Sequence, residues 1–162
     1  MKDRATAYAP YVPLPVPILR LGYRLAYTGL RVYWFLFRPE VSGVKCLITD
    51  GERVLLVRHT YGPRGWDLPG GTVKRGEEPM TAARREMNEE LGVSIEDWRP
   101  LGLFSLNIDH RRDRLHAFQA ELHAPQIEID RGELADAGWF SRDALPRNLG
   151  RYARPILARA AN

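Results

Sequence analysis

Three glutamates in one short segment have a spacing that could hold a metal ion. Glu86, Glu89 and Glu90 lie at positions i, i+3 and i+4, so a helix would place them on one face. Like charges at this spacing repel each other by about 0.2–0.5 kcal/mol per pair in water. Such a face is either solvated or bound to a cation, and clustered carboxylates suit a hard divalent ion shared with substrate phosphates. Both interpretations are open from these three residues alone.

A helix over residues 79–91 is predicted to carry these glutamates. Pro79 suits its first turn, where a missing N–H has no cost, and Gly92 suits the position just past its end. Residues 71–78 would form the loop that leads into it. The opposite side of the helix is an apolar stripe that would pack on a core, formed by Met80, Ala83, Met87 and Leu91.

The whole segment from Gly71 to Val93 reads GTVKRGEEPMTAARREMNEELGV and resembles the complete Nudix box of the Nudix hydrolase superfamily. Every signature position matches: Gly71, Glu77, Arg85, Glu86, Met87, Glu89, Glu90, Gly92 and Val93. Given residue frequencies of about 6–7%, such a match arises by chance on the order of once in 10⁹ starting positions. The resemblance is close over the box and extends loosely over residues 41–146.

The resemblance implies an α/β/α sandwich with a mixed β-sheet, and the order of the predicted elements agrees with that fold. The predicted strands span 42–50, 53–59, 101–109, 114–122 and 137–140. Asp50-Gly51 is a hairpin signal, Ser141 would cap a short helix, and a last helix over 149–160 would be interrupted by Pro155. We expect an N-terminal helical extension over residues 1–40 and a Nudix hydrolase domain over 41–162.

The resemblance also assigns roles in the site. Nudix hydrolases mostly cleave a diphosphate linked to a further moiety, with water attacking phosphorus and Mg²⁺ or Mn²⁺ neutralising the phosphate oxygens. The implied metal ligands are the Gly70 carbonyl and the carboxylates of Glu86, Glu89 and Glu90. The general base would be either Glu86 or an acid of the 128–136 loop, for which we choose Glu133. The implied structural residues of the motif are Gly71, Glu77, Arg85 and Gly92, with Glu77 paired to Arg85.

Substrate contacts are less specifically indicated. Arg58 and His59 end a predicted strand and could reach a phosphate, although such an arginine is more often only solvated. Trp66, which opens the segment WDLPGG before the box, could stack on a base or could simply pack. We expect a nucleoside diphosphate derivative as substrate and no DNA or RNA. The alternative is a non-catalytic Nudix domain that senses a nucleotide or binds a partner. Such domains often lack some residues of the Nudix box, whereas the box of this chain is complete.

The basic charge is concentrated at the N-terminus. The net charge of +4 belongs to residues 1–40, because the other residues hold 18 basic and 18 acidic side chains. Residues 1–17 are predicted to be a Pro-rich arm, and 18–37 a basic, aromatic helix. That helix would pack on the core or on a second copy in a homodimer, or lie at an anionic membrane surface through residues 18–38. The remaining alternative is a poorly ordered segment. A single cysteine, Cys46, and no readable signal peptide favour a cytoplasmic protein.

Overall fold

The computed structural model describes residues 15–63, 65–108, 110–123 and 126–161, so most of the predicted Pro-rich arm lies outside the described residues. Its helices are α1 (Val16–Phe37), α2 (Pro79–Leu91) and α3 (Ala153–Ala160). Its strands are β1 (Glu40–Asp50), β2 (Arg53–His59), β3 (Arg99–Ile108), β4 (Arg111–Glu121) and β5 (Leu134–Ser141). A 3₁₀ turn, Arg142–Ala144, follows β5.

The five strands form one mixed sheet in the order β3-β4-β1-β2-β5. β1 and β4 run parallel, whereas the β1–β2, β2–β5 and β3–β4 pairs are antiparallel. The β1–β2 hairpin turns at Gly51, whose φ of +56° is in the left-handed region that the Asp50-Gly51 signal anticipates. The expected mixed sheet is therefore confirmed.

Both faces of the sheet are buried, which makes the fold a three-layer sandwich. The central strands β1 and β2 bury successive residues, 46–49 in β1 and 54–57 in β2, as strands covered on both sides do. One face packs against α2 through Val44, Cys46, Ile48, Leu55 and Val57. The other packs against α3 through Leu47, Val54 and Leu56. Alternate residues thus point to opposite layers, as the period of two requires.

The segment before the box is fixed to β1 by backbone hydrogen bonds. The N–H of Val44 donates to the carbonyl of Gly71 at 2.8 Å, and the N–H of Cys46 donates to that of Pro69 at 2.9 Å. Lys45, between them, forms an ion pair with Asp67 at 2.9 Å. Because β1 lies at the centre of the sheet, this pairing holds the loop at the start of the box in a defined position.

Helix α2 has the predicted bounds, and Gly92 ends it with a φ of +65°. Other boundaries differ. β5 begins at Leu134 and not at residue 137, because it pairs with β2 along the whole strand. α3 begins at Ala153, so Pro155 lies in its first turn, where proline is tolerated, and does not interrupt it.

Helix α1 lies against the domain along a narrow face. Trp34 is its only buried residue among those described, with 6% of its surface exposed. Tyr23 and Tyr27 lie on the same side of the helix as Trp34 and are half-buried. Tyr27 is about one turn after Tyr23, and Trp34 is about two turns after Tyr27. No helix in the described part of the chain is long and apolar enough to cross a membrane.

Candidate metal centre and its surroundings

An ion pair between Glu77 and Arg85 closes the loop that leads into α2. Arg85 donates from Nε and Nη2 to the two carboxylate oxygens of Glu77, at 2.9 and 3.0 Å. It also donates to the carbonyl of Thr72 at 3.0 Å, and the N–H of Lys74 donates to Glu77 at 2.8 Å. These bonds from Arg85 and Lys74 lower the pKa of Glu77 to about 2. The predicted pair is present, and it ties the loop to the helix.

The remaining guanidinium nitrogen of Arg85, Nη1, contacts two further glutamates of α2. It donates to Glu86 at 2.7 Å and to Glu89 at 2.9 Å. Glu86 is buried, which raises its pKa, and the bond from Arg85 opposes that rise. A Cβ on Gly71 would lie 2.5 Å from the Glu86 carboxylate, so a larger residue there would displace the Glu86 side chain.

The acidic face of α2 is consequently divided. The sequence predicts one shared face for Glu86, Glu89 and Glu90, opposite the apolar stripe. The structure buries Glu86 and Glu90 beside that stripe and leaves the Glu89 side chain 53% exposed on Arg85. The helix is rotated toward the sheet far enough to bring two of the three carboxylates inward.

Glu90 has only 1% of its surface exposed. The N–H of Gly70 donates to its Oε2 at 2.9 Å, and Nε2 of His59 lies 3.1 Å from its Oε1. Gly70 has a φ of +129°, and a Cβ there would lie 2.3 Å from the carbonyl oxygen of Val44. Only glycine therefore allows this close approach. The resemblance implies that the Gly70 carbonyl is a metal ligand, and the structure shows in addition that the Gly70 N–H donates to Glu90.

Three side chains converge here. His59, Glu90 and Glu133 each offer one ligand atom, and these atoms lie within 4.8 Å of one another. The pairing of β2 with β5 sets His59 opposite Leu134, the first residue of β5, so Glu133, which immediately precedes Leu134, lies next to His59. Burial raises the pKa of Glu133, and the Tyr61 hydroxyl, which donates to it, opposes the rise. Glu90 and Glu133, predicted separately, are thus brought together.

No sequence pattern indicated that His59 takes part in metal binding. Its only local signal was its place at the end of a strand, one residue from Arg58. Strand alternation then separates the two side chains: His59 reaches Glu90, whereas Arg58 pairs with Asp136 at 3.2 Å and lies over the Trp66 ring at 5.3 Å. Trp66 itself packs with the hydrophobic cluster on the α3 side. Arg58 and Trp66 are therefore engaged with each other, and Arg58 also with Asp136, and not with Glu90 or Glu133.

The donor set suits a divalent cation. Two carboxylates and one imidazole give an oxygen-rich site of the kind that Mg²⁺ or Mn²⁺ accepts. The charge on Glu90 contributes to the raised pKa of both Glu86 and Glu133. A bound cation would offset this mutual repulsion, so the residues present fit the expected cofactor.

Helix α1 covers the two loops that carry this cluster. The Tyr23 ring stacks on Tyr61 with centroids 5.5 Å apart, and Tyr61 donates to Glu133. Arg24 donates from Nε to the carbonyl of Thr60 at 3.2 Å. No sequence pattern indicated a role in the site for Tyr23 or Tyr61, because their contacts join residues far apart in the chain.

This combination of mixed sheet, box loop and acidic helix defines a Nudix fold, and comparison with known proteins agrees. The chain belongs to the Nudix family: the NUDIX domain profile matches residues 39–160. The NAD-capped RNA hydrolase NudC of Chromobacterium violaceum is 33% identical over 136 residues, which cover 83% of this chain and 49% of that protein.

Solved structures show the same relationship. The MutT NUDIX hydrolase from Burkholderia pseudomallei superposes with a TM-score of 0.69 at 26% identity, covering 74% of this chain and 97% of that one. A UDP-X diphosphatase superposes with a TM-score of 0.63 at 26% identity, covering 75% and 63% of the two chains. The chain spans about half the length of the Chromobacterium violaceum NudC, or 49%.

Proposed function

We propose that this protein is a divalent-metal-dependent hydrolase that cleaves the diphosphate linkage of a nucleoside diphosphate derivative, with water attacking phosphorus. The observation that carries the proposal is the buried Glu90, held by Gly70 and His59 within an intact Nudix box. A buried carboxylate beside Glu86 and Glu133 is unfavourable unless a cation accompanies it. The arrangement is therefore better explained as a metal site than as a solvated acidic face.

Glu90, Glu133 and His59 are the side chains that would hold the cation, Mg²⁺ or Mn²⁺. When bound, the cation would supply the positive charge that a diphosphate needs in order to approach a carboxylate cluster. Glu89, a ligand by resemblance, would have to leave Arg85 to take part. The Gly70 carbonyl remains a proposed ligand.

Two carboxylates remain candidates for the general base. Glu86 and Glu133 are both withdrawn from water, and burial raises the pKa of each, which makes each a stronger proton acceptor. Glu86 is held by Arg85, whereas Glu133 accepts a hydrogen bond from Tyr61. Of the two, Glu133 lacks a cationic hydrogen-bond donor among its described contacts, so we assign the proton from the attacking water to the Glu133 oxygen that does not hold the cation.

The test is a substrate panel. The wild type, Glu90→Gln and Glu133→Gln would be assayed with Mg²⁺ and with Mn²⁺ on ADP-ribose, UDP-glucose and other nucleoside diphosphate derivatives. We expect metal-dependent release of a nucleoside monophosphate by the wild type and a loss in both variants. Activity on no member of the panel, or activity that Glu90→Gln leaves unchanged, would disprove the proposal.

A second candidate substrate class comes from the relatives. The similarity to proteins named NAD-capped RNA hydrolase puts NAD and NAD-capped RNA in the same panel, against the expectation that no RNA is bound. The diphosphate of NAD is chemically the same target. Nucleotide binding without turnover would support the alternative of a non-catalytic sensing domain. Cytoplasmic location remains a prediction, to be tested by fractionation.

A further inference from the structure

Helix α1 presents an unusual amount of apolar surface to solvent. Ten large hydrophobic side chains between Val16 and Phe37 are each 39–68% exposed. They are Val16, Ile18, Leu21, Leu25, Leu30, Val32, Tyr33, Phe35, Leu36 and Phe37. Elsewhere in the described chain, only Leu103 and Leu106 are comparable. Contiguous exposed apolar surface of this kind marks a binding face.

The exposed residues include a stripe that faces away from the domain. At about 100° per residue, Tyr23, Tyr27 and Trp34 share the side that contacts the domain. Those three are the aromatic residues of α1 that are buried or half-buried. The opposite side carries a second stripe, formed by Ile18, Leu21, Leu25, Val32 and Leu36, and all of its members are exposed. The described part of the domain therefore leaves one apolar face of the helix uncovered.

The charge of the helix distinguishes between two partners for this face. Residues 16–38 contain four arginines, Arg20, Arg24, Arg31 and Arg38, and no aspartate or glutamate. Two copies of α1 packed together would bring arginines near arginines without a carboxylate from either helix. An anionic lipid surface complements the same charge, since each basic residue near it contributes about 1 kcal/mol of binding.

We propose that α1 is an interfacial helix that docks this protein on an anionic membrane surface, with its Ile18–Leu36 stripe in the headgroup region. An exposed aliphatic face with arginines and no acidic residue elsewhere on the helix is typical of helices that lie in the interface. The helix is not suited to cross the bilayer.

The contacts between α1 and the domain determine how the protein would be oriented on the membrane. Arg20 donates to the carbonyl of Arg131 at 3.1 Å, and Arg24 donates to that of Thr60 at 3.2 Å. These bonds attach the helix to the loops that precede Glu133 and follow His59. Docking would therefore place the site close to the lipid headgroups, with α1 between them.

The experiment is vesicle co-sedimentation of the full chain with phosphatidylglycerol–phosphatidylcholine vesicles and with phosphatidylcholine vesicles alone. We expect binding to the anionic vesicles that weakens as salt is raised. The double variant Leu21→Gln/Leu25→Gln should lose at least about tenfold in partitioning, because two exposed leucine side chains would no longer enter the apolar part of the interface. Leu103→Gln/Leu106→Gln, which removes the two exposed leucines of β3, is the control and should bind as the wild type does.

A charge variant tests the electrostatic part. Arg31→Gln should weaken binding to anionic vesicles about fivefold, whereas Arg147→Gln, an exposed arginine outside α1, should not. Sedimentation velocity would show whether a second copy covers the face. An α1-dependent dimer without vesicle binding, or no binding to anionic vesicles at all, would overturn the proposal. Binding that the α1 substitutions leave unchanged would overturn it too.

Discussion

Replacing Glu90 by glutamine tests the central feature of the site. The change keeps the size of the side chain and leaves an amide that can still accept from the Gly70 N–H, but it removes the charge. Without metal, the variant should be at least as stable as the wild type, because the lost charge no longer repels Glu86 and Glu133. The expected loss is in the response to metal.

The size of that response can be estimated. Metal at 100 times its dissociation constant stabilises the folded state by about 2.7 kcal/mol. For a chain of 162 residues, each kcal/mol shifts Tm by about 2–4 °C, so wild-type Tm should rise by about 5–10 °C. If Glu90→Gln weakens metal binding about 100-fold, the shift falls to about 1 °C. Activity should fall by roughly 10²–10³-fold.

The assay is a thermal melt of metal-stripped protein titrated with Mg²⁺ or Mn²⁺, run beside the substrate assay. Glu121→Gln, an exposed carboxylate at the end of β4, is the matched control and should keep the wild-type shift. A wild-type shift in Glu90→Gln would refute the assignment of Glu90 as a ligand. A variant much less stable than the wild type without metal would instead show that the carboxylate is structural.

Three further predictions concern the loop and the covering residues. Glu77→Gln should destabilise the fold near neutral pH: the folded pKa of Glu77 is lowered to about 2, so its contribution is complete above the unfolded pKa and is lost as pH falls through 2. Denaturation of wild type and variant from pH 7 to pH 3, with exposed Glu96→Gln as control, should show the gap narrowing. Gly70→Ala should cost about 2–5 kcal/mol, since its Cβ meets the carbonyl of Val44, whereas Gly76→Ala, also at positive φ but in open space, should cost about 1–2. Tyr61→Phe removes the donor to Glu133 and should lower kcat about tenfold in steady-state assays, with exposed Tyr33→Phe unaffected. An unchanged kcat would remove Tyr61 from the site.

The sequence predicts those features of the site that depend on residues close together in the chain. Pro79 and Gly92 mark the ends of α2, and both bounds agree with the structure because helix termination is a local matter of φ and missing N–H groups. The Glu77–Arg85 pair is likewise local, since its partners lie eight residues apart around one loop. The mixed sheet followed from the resemblance carried by the box.

The side chains around Glu90 could be identified only from the three-dimensional structure. His59 reaches it across 31 positions, and Tyr61 reaches Glu133 across 72. The position of Glu133 depends on the register between β2 and β5, and a shift of β2 by one residue would turn His59 to the other face of the sheet. The periodicity of a single strand does not contain that register. The spacing of the box thus determined that carboxylates gather on α2, and strand pairing determined which of them are buried together with a histidine.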